Sequence, residues 1–167
     1  AYYFTDPPYG LKGGDNASQK SLTANAVYRL AVDGTLTAEV THLSRPNGLA
    51  FSPDEKWLYV ANSEQSAAQW WRYAVAPDGS LGPGKLFFDA TSYTNSSRGL
   101  PDGLKVLPSG HLLATGPGGV WVFTAKGEHL GTIKTGVAAA NVALSPGNRY
   151  LYITATNYLL RIALIVD

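Results

Sequence analysis

Short runs of apolar residues alternate with turn residues along almost the whole chain. Runs of Val, Leu, Ile, Tyr, Trp and Phe recur about every ten residues, separated by clusters such as "VDGT", "SPDE", "LPSG" and "SPGN". This spacing is typical of antiparallel hairpins, and no segment carries the apolar stripe of an amphipathic helix. We therefore predict an all-β protein. The eleven predicted strands are 2–5, 26–32, 48–51, 57–62, 69–74, 103–107, 111–115, 119–123, 142–144, 150–154 and 158–163.

Three segments of the chain repeat one pattern. They are "NGLAFSPDEKWLYVANS" from Asn47, "DGLKVLPSGHLLATGPG" from Asp102 and "NVALSPGNRYLYITATN" from Asn141. Each contains a polar amide or acid, a short apolar strand, a turn, a second apolar strand and a small polar residue. The intervals of 55 and 39 residues, with about four strands in each unit, are typical of the blades of a β-propeller.

The repeat also indicates how much of a propeller the chain contains. "YYFTDP" aligns with the second long strand of the unit, so the first strand of that unit would lie before Ala1. The chain then holds about three to three and a half blades, whereas propellers usually close with four to eight. We expect residues 1–167 to form a single partial propeller domain, the C-terminal blades of a longer ring. The other blades would be cleaved off, supplied by another chain, or replaced by self-association; a complete small β-sandwich is the alternative.

Composition argues against several classes of partner. The 13 Lys and Arg residues are scattered among 12 Asp and Glu residues, and the formal net charge is +1. The chain therefore lacks the basic stripe that binds nucleic acid. No apolar run reaches the roughly 18 residues that span a membrane, and there is no cysteine for disulfide or thiol chemistry. We expect neither nucleic acid nor a membrane as a partner.

Asn47 and Asp102 occupy corresponding positions in the repeat, each between a proline and a glycine. A carboxylate at the start of an apolar strand is unfavourable unless a partner compensates its charge. Carboxylate and amide oxygens are the ligands that hard cations prefer, and inner strands of different blades converge on the propeller axis. Gly48 and Gly103 would let the backbones approach closely there. The alternative is that both side chains only hydrogen-bond the backbone of a turn.

Other polar residues are weaker candidates. Asn141 has the corresponding position in the third repeat and either lines the channel or forms a structural Asx turn. Tyr9 of "TDPPYG" is a candidate for a loop residue that borders the end of the propeller where Asn47 and Asp102 are expected. The prolines of the same segment equally indicate a plain rigid turn. His42, His111 and His129 have no metal-like spacing and are interpreted as surface residues. The serines of "DATSYTNSSRG" have no His or acid partner at a recognisable spacing, which disfavours a serine hydrolase.

The order of these motifs resembles the gluconolactonase, regucalcin and senescence-marker-protein superfamily, in particular its bacterial gluconolactonase-like branch. The resemblance covers essentially the whole chain and implies the second half of a six-bladed propeller. The segments that carry it are "YYFTDPPYGL", "VYRLAVDGTL", "RPNGLAFSPDEKWLYVANS", "GLPDGLKVLPSGHLLATGPGGVWVF" and "NVALSPGNRYLYITATNYLLRI".

This resemblance also implies a reaction. In the superfamily one divalent cation, usually calcium or zinc, is held at the end of the central channel by one Glu, one Asn and one Asp. The Asn matches Asn47 and the Asp matches Asp102, while the Glu and the Arg and Asn that contact the sugar lactone would precede Ala1. The resemblance implies metal-dependent hydrolysis of a sugar lactone. Ca²⁺ is the first candidate for the cofactor and Zn²⁺ is the second. The metal would polarise the lactone carbonyl or activate water, and Asp102 would assist proton transfer.

Two other functions stay open at this stage. The chain could be a non-catalytic propeller piece, a binding or assembly module in which no complete site forms. It could also be a phosphotriesterase-like hydrolase, because a propeller scaffold does not by itself determine the chemistry. The superfamily occurs both in the cytoplasm and in the bacterial periplasm, so either compartment, or secretion, is compatible with the sequence.

Overall fold

A computed structural model describes residues 1–165 of the chain. They form fourteen β-strands in four antiparallel sheets, with four short 3-10 helices and no α-helix within that range. Strands that follow one another in the sequence are neighbours in the same sheet, as the many turn signals predict. Across these residues, no helix has the length and apolar character needed to cross a membrane.

We number the sheets I to IV in chain order. Sheet I contains β1 (Tyr2–Asp6), β2 (Ala26–Leu30) and β3 (Leu36–Val40). Sheet II contains β4 (Pro46–Phe51), β5 (Trp57–Glu64), β6 (Ala67–Ala74) and β7 (Lys85–Asp89). Sheet III contains β8 (Leu104–Val106), β9 (Leu112–Gly116), β10 (Gly119–Phe123) and β11 (His129–Lys134). Sheet IV contains β12 (Ala139–Leu144), β13 (Tyr150–Ala155) and β14 (Tyr158–Ala163).

All eleven predicted strands are present, and three further strands, β3, β7 and β11, were not predicted. Each of these three lies at the outer edge of its sheet. Their sequences, "LTAEV", "KLFFD" and "HLGTIK", consist of exposed and half-buried positions, apart from the buried Val40 at the end of β3. Because these strands bury little surface, their apolar residues form no clear pattern in the sequence.

One hydrophobic core fills the space between each pair of successive sheets. Alternate residues of β5 enter two different cores: Leu58 and Val60 pack towards sheet I, whereas Tyr59 and Ala61 pack towards sheet III. This alternation follows from the two-residue period of a strand. The sheets therefore stack face to face in the order I, II, III, IV.

The core between sheets II and III is aromatic. Trp70, Trp121 and Phe123 are almost completely buried there. The ring centroid of Trp70 lies 5.2 Å from that of Phe123 and 5.6 Å from that of Trp121. Large aromatic side chains in edge-to-face or tilted contact contribute much of the burial energy of such a core. Trp70 of "QWWRY" is thus a packing residue of this core.

The first strands of sheets II, III and IV lie side by side at the inner edge of the stack. Strand β4 contacts β8, and β8 contacts β12. Strand β1 contacts β4 as well, but the Thr5 hydroxyl near its end donates to the Asn47 carbonyl at the start of β4, at 2.9 Å. Strand β1 therefore runs opposite to β4, in the direction of β5, which matches the alignment of "YYFTDP" with the second strand of the repeat.

Two glycines allow the inner strands to approach each other. A Cβ atom on Gly48 would lie 2.8 Å from the Asp102 carbonyl carbon and 2.8 Å from the Gly103 Cα. A Cβ atom on Gly103 would lie 2.8 Å from the Asn141 Cα and would overlap the side-chain amide of Asn141. Real Cβ atoms do not make such contacts with backbone, so the predicted role of these glycines in close backbone approach is confirmed.

We expect Gly48→Ala and Gly103→Ala each to destabilise the fold by about 1 to 3 kcal/mol or more, because the added methyl group has no space between the inner strands. Urea unfolding would measure the loss. Gly10→Ala is the matched control, since a Cβ atom there meets no atom within 4 Å, and it should change stability by less than about 0.5 kcal/mol. Equal stability of Gly103→Ala and Gly10→Ala would contradict this account of the inner strands.

Candidate functional site at the start of the inner strands

The start of β8 is held by hydrogen bonds to two neighbouring strands. The Asp102 N–H donates to the Thr115 carbonyl at 3.2 Å, and the Thr115 N–H donates to the Gly103 carbonyl at 2.9 Å. Two residues of one strand thus oppose one residue of the other, which is the pattern of a β-bulge. The Gly103 N–H instead donates to the Ala140 carbonyl in sheet IV at 2.9 Å. Asp102 is therefore fixed between sheets III and IV.

Thr115 strengthens this arrangement and was missed by the sequence analysis. It is completely buried, and its hydroxyl lies 3.0 Å from the Gly103 carbonyl and 3.4 Å from the Ala140 carbonyl, to both of which it can donate. A buried hydroxyl requires such partners. The signal that could have identified Thr115 is its position as the one polar side chain in the buried strand "LLATG".

The same irregularity recurs in the sheets on either side. The register between β4 and β5 shifts between Pro46 and Leu49, at the position of Asn47. The register between β12 and β13 shifts between Ala139 and Asn141. Bulges re-aim side chains and are frequent beside functional sites. All three candidate residues from the repeat therefore lie at bulges at one end of the inner strands.

Asp102 is a half-buried carboxylate without a compensating charge. Burial raises the pKa of Asp102 above its ordinary value, and the backbone N–H of Gly103 offsets part of this effect. No charged group contributes to the pKa shift. A carboxylate that loses hydration in this way is stabilised by a cation or by a proton.

Asp102 opens into a pocket of about 420 Å³. The lining includes Ser63 at the end of β5, Leu100, Ala140 of β12 and Thr156. Asp102 is the only charged residue of the lining. A mostly apolar pocket with one carboxylate is suited to bind a small molecule and to exchange a proton with it.

Asn47 and Asn141 flank Asp102 on the neighbouring inner strands. Asn47 is half-buried, and its neighbour Gly48 abuts the Asp102 backbone. Asn141 is exposed, and its Oδ1 accepts the Val142 N–H at 2.8 Å. This local hydrogen bond occupies the Asn141 oxygen, whereas its side-chain N–H groups face no such partner within residues 1–165.

Tyr9 stands at the border of the Asp102 pocket. It is exposed, and its hydroxyl donates to the Ser63 carbonyl at 3.2 Å. Ser63 is itself part of the pocket lining. The Arg45 guanidinium lies 6.0 Å from the centroid of the Tyr9 ring. Tyr9 is thereby held beside the pocket by both a hydrogen bond and a cation.

The long segment between β1 and β2 is fastened to the start of β4 through Asp15. The Asp15 carboxylate accepts from Lys20 Nζ at 2.9 Å, Asn25 Nδ2 at 2.9 Å and Arg45 Nη1 at 2.6 Å. These donors, Lys20 first and then Asn25, lower the pKa of Asp15 to about 2. Arg45 also lies 3.5 Å from Glu64 at the end of β5. Sequence analysis missed this cluster because Arg45, which joins it to β4, is 30 positions from Asp15 in the sequence.

The interpretation of all three histidines as surface residues holds for His42, holds only in part for the half-buried His111, and is wrong for His129. Its ring stacks on Trp121 with centroids 4.1 Å apart, and His129 is half-buried. His42 is exposed and contacts Trp71 edge-on. No histidine belongs to the lining of the Asp102 pocket.

The donor set at this end suits a hard cation in type but is incomplete in number. Asn47 and Asp102 offer amide and carboxylate oxygens, whereas Ca²⁺ takes about six to eight oxygen ligands. Within residues 1–165 no group of three or more His, Cys, Asp and Glu side chains could hold a metal ion. A cation held here would need further ligands, from water or from another protein segment.

The Asp15 cluster gives a pH-dependent contribution to stability. Because the folded-state pKa of Asp15 is depressed to about 2 from 3.8, this contribution is present above about pH 4 and is lost as the pH falls through 2. We expect Asp15→Asn to lower the urea midpoint at pH 6, with the difference from wild type shrinking towards pH 2. Glu128→Gln, at an exposed position, is the control. Equal midpoints of wild type and Asp15→Asn at pH 6 would contradict this role.

Comparison with known proteins places this geometry in a family. Residues 1–157 match the sequence model of a protein family that is described as the SMP-30/Gluconolactonase/LRE-like region. A gluconolactonase of Zymomonas mobilis is 39% identical over 166 residues, which cover 97% of this chain and 47% of that protein. The solved structure of a gluconolactonase from Xanthomonas campestris matches with a TM-score of 0.83 and 34% identity, covering 98% of this chain and 53% of that one.

A more distant structure shares the fold. A calcium-binding protein, regucalcin, from Agrobacterium tumefaciens matches with a TM-score of 0.67 and 24% identity, covering 80% of this chain and 45% of that one. The chain spans about half the length of the relatives it matches. The predicted all-β propeller fold is confirmed, while closure into six blades stays a prediction. The chain belongs to the SMP-30/Gluconolactonase/LRE-like family.

Proposed function

We propose that this chain carries part of the active site of a hydrolase that opens sugar lactones to hydroxy acids. The observation that carries the proposal is the position of Asp102, an uncompensated carboxylate in a small pocket beside Asn47, where the inner strands converge. Gluconolactonases at 39% and 34% identity support the reaction class.

The proposed cofactor is one divalent cation, Ca²⁺ in the first place and Zn²⁺ as the alternative. Asn47 and Asp102 would hold it through their side-chain oxygens. The oxygen donors favour a hard cation, and the related regucalcin is a calcium-binding protein. Such a cation supplies a Lewis acid that polarises a carbonyl or lowers the pKa of a bound water.

The residues of this chain would contribute proton transfer, orientation and exclusion of water. Hydrolysis adds water to the lactone carbonyl carbon and breaks the bond to the ring oxygen, which takes up a proton. Asp102 is proposed to accept or guide the proton of the attacking water. The apolar wall of the pocket, including Leu100 and Ala140, would limit access of other water. Tyr9 and Asn141 are the candidates for contacts to sugar hydroxyls.

We also propose that the outer faces of sheets I and IV pack against further propeller sheets. On these outer faces, Tyr2 and Phe4 of sheet I and Tyr150 and Leu159 of sheet IV expose large apolar surfaces, which usually mark contact sites. The relatives are about twice as long as this chain. The N-terminal half of the same protein, or a second copy of this chain, would supply those sheets and the missing acidic ligand.

A non-catalytic binding or assembly module is the second candidate function. It is favoured by one observation: the described residues provide no group of three acidic or imidazole ligands for a metal. In that case Asn47 and Asp102 would remain at the inner strands without forming a working site.

Stability measurements separate these candidates. Burial raises the folded-state pKa of Asp102. The protonated carboxyl group therefore contributes fully to the free energy of unfolding below about pH 4, and this contribution is lost as the pH rises through the folded-state pKa. In EDTA, Asp102→Asn should therefore gain stability relative to wild type as the pH rises to 7.

Ca²⁺ at about 100 times its Kd should stabilise wild type by about 2.7 kcal/mol and leave Asp102→Asn unchanged. An absence of any Ca²⁺ effect on wild type would refute the cation site.

A substrate panel tests the reaction itself. We expect the protein to hydrolyse a sugar lactone, which is measured by titrating the acid that is released. The kcat/KM should fall about 100-fold to 10,000-fold in Asp102→Ala. Asp33→Ala, at an exposed turn outside the pocket lining, should keep wild-type activity. Phosphotriesters should be poor substrates. Preferential cleavage of phosphotriesters, or full lactonase activity in Asp102→Ala, would overturn the proposal.

A further inference from the structure

A second cavity lies at the rim of sheet III and adjoins the Asp102 pocket at residues 98–99 and 137–138, and the proposed reaction does not use it. Its volume is about 530 Å³, within the range of small-molecule sites. We call it the rim cavity. Its walls come from the end of the 3-10 helix Thr91–Tyr93 and the segment after it, from the turn between β9 and β10, from Trp121 of β10, from β11, and from residues 136–137 after β11. It shares no residue with the lining of the Asp102 pocket.

Three aromatic rings form one side of the rim cavity. His129 stacks on Trp121 with centroids 4.1 Å apart and an interplanar angle of 23°. Tyr93 meets Trp121 edge-on, with centroids 4.9 Å apart and an angle of 88°. Trp121 is buried, and its indole N–H donates to the Pro117 carbonyl at 2.8 Å. The fixed indole thus orients His129 and Tyr93, whose faces are more accessible.

The rest of the rim cavity is lined by cationic side chains and hydroxyl groups. Arg98 and Lys134 line the cavity and are exposed. Neither forms an ion pair within residues 1–165, where the charged pairs involve other Lys and Arg residues. Ser96, Ser97 and Thr132 add hydroxyls, and the lining contains no Asp or Glu. The cavity is therefore positive, rich in hydroxyl groups and aromatic on one side.

The wall that carries Arg98 is held in place by backbone hydrogen bonds. The Gly118 N–H donates to the Arg98 carbonyl at 2.8 Å, and the Ser97 N–H donates to the Tyr93 carbonyl at 3.1 Å. A pre-formed wall lowers the entropic cost of binding a ligand. All lining residues lie between Tyr93 and Val137, in sheet III and the segments that flank it, so the lining includes no residue of sheets I or IV.

We propose that the rim cavity binds a small hydroxylated carboxylate, a sugar acid, with its carboxylate between Arg98 and Lys134. Charge-assisted hydrogen bonds from Arg98 would fix the carboxylate. The hydroxyls of the lining would pair with hydroxyls of the ligand, and the apolar face of its carbon chain would pack on Tyr93 and His129. This class follows from the lining alone and does not depend on the proposed lactone hydrolysis, although the product of that reaction has the same chemistry.

Binding can be measured by NMR of the tryptophan indole groups. Titration with gluconate at low salt should shift the Trp121 indole resonance and leave that of Trp71, which packs beside His42, unchanged. Neutral glucose should cause no shift, and inorganic phosphate should cause a smaller one. No Trp121 shift up to about 10 mM gluconate would overturn the proposal. A shift with phosphate equal to that with gluconate would reduce the site to a non-specific anion patch and would also overturn it.

Charge variants test the proposed contacts. Arg98→Gln and Lys134→Gln should each weaken gluconate binding by about tenfold or more, whereas Lys126→Gln, exposed and outside the cavity, should change it by less than about twofold. Asp102→Ala should leave the Trp121 shift intact, so a failed lactonase assay does not affect this result. Loss of the shift in Asp102→Ala would place gluconate in the Asp102 pocket and overturn the rim site.

Discussion

The close approach of the inner strands at Gly48 and Gly103 is the constraint on which the rest of the structure depends. A Cβ atom at either position would overlap the neighbouring backbone, so β4, β8 and β12 can begin side by side only because these residues are glycine. The residues at the same positions in the repeat, Asn47, Asp102 and Asn141, are thereby brought to one end of the stack. The outer strands then diverge from this line, and the spaces between the sheets are filled by three hydrophobic cores.

Two carboxylates near this end have opposite environments, which assigns them different roles. Asp15 accepts three hydrogen bonds from cationic and amide donors, and its pKa falls to about 2. It is therefore ionised at all ordinary pH values and acts as an anchor for the segment that carries Tyr9. Asp102 loses hydration without gaining a charged partner, and its pKa rises. A partly buried carboxylate without a charged partner, such as Asp102, is stabilised when it binds a cation or a proton, and this is a property that reactive groups need.

The sequence predicted those features that depend on local pattern or on the repeat. Strands β5 and β9 are buried on both faces, so their apolar runs are visible, and the alignment of Asn47 with Asp102 follows from the repeated turns. Strands β3, β7 and β11 were missed because they bury little surface and their apolar residues form no clear pattern. The contact of Asp15 with Arg45 joins residues 30 positions apart, and the stacking of His129 on Trp121 depends on tertiary packing. Neither leaves a periodic signal in the sequence.

The position of a sheet in the stack determines how far its sites depend on the rest of a propeller. Sheets II and III are covered on both faces by this chain, so the aromatic core around Trp70 and Phe123 and the rim cavity beside it are built from one continuous set of residues. The proposed cation site around Asp102 differs, because its ligands would come from several blades, and this chain would offer two of them, Asn47 and Asp102. Structural integrity of the central sheets and completeness of the proposed catalytic site are therefore separate properties. A change at Gly103 affects both, since the same glycine packs the inner strands and follows the candidate ligand.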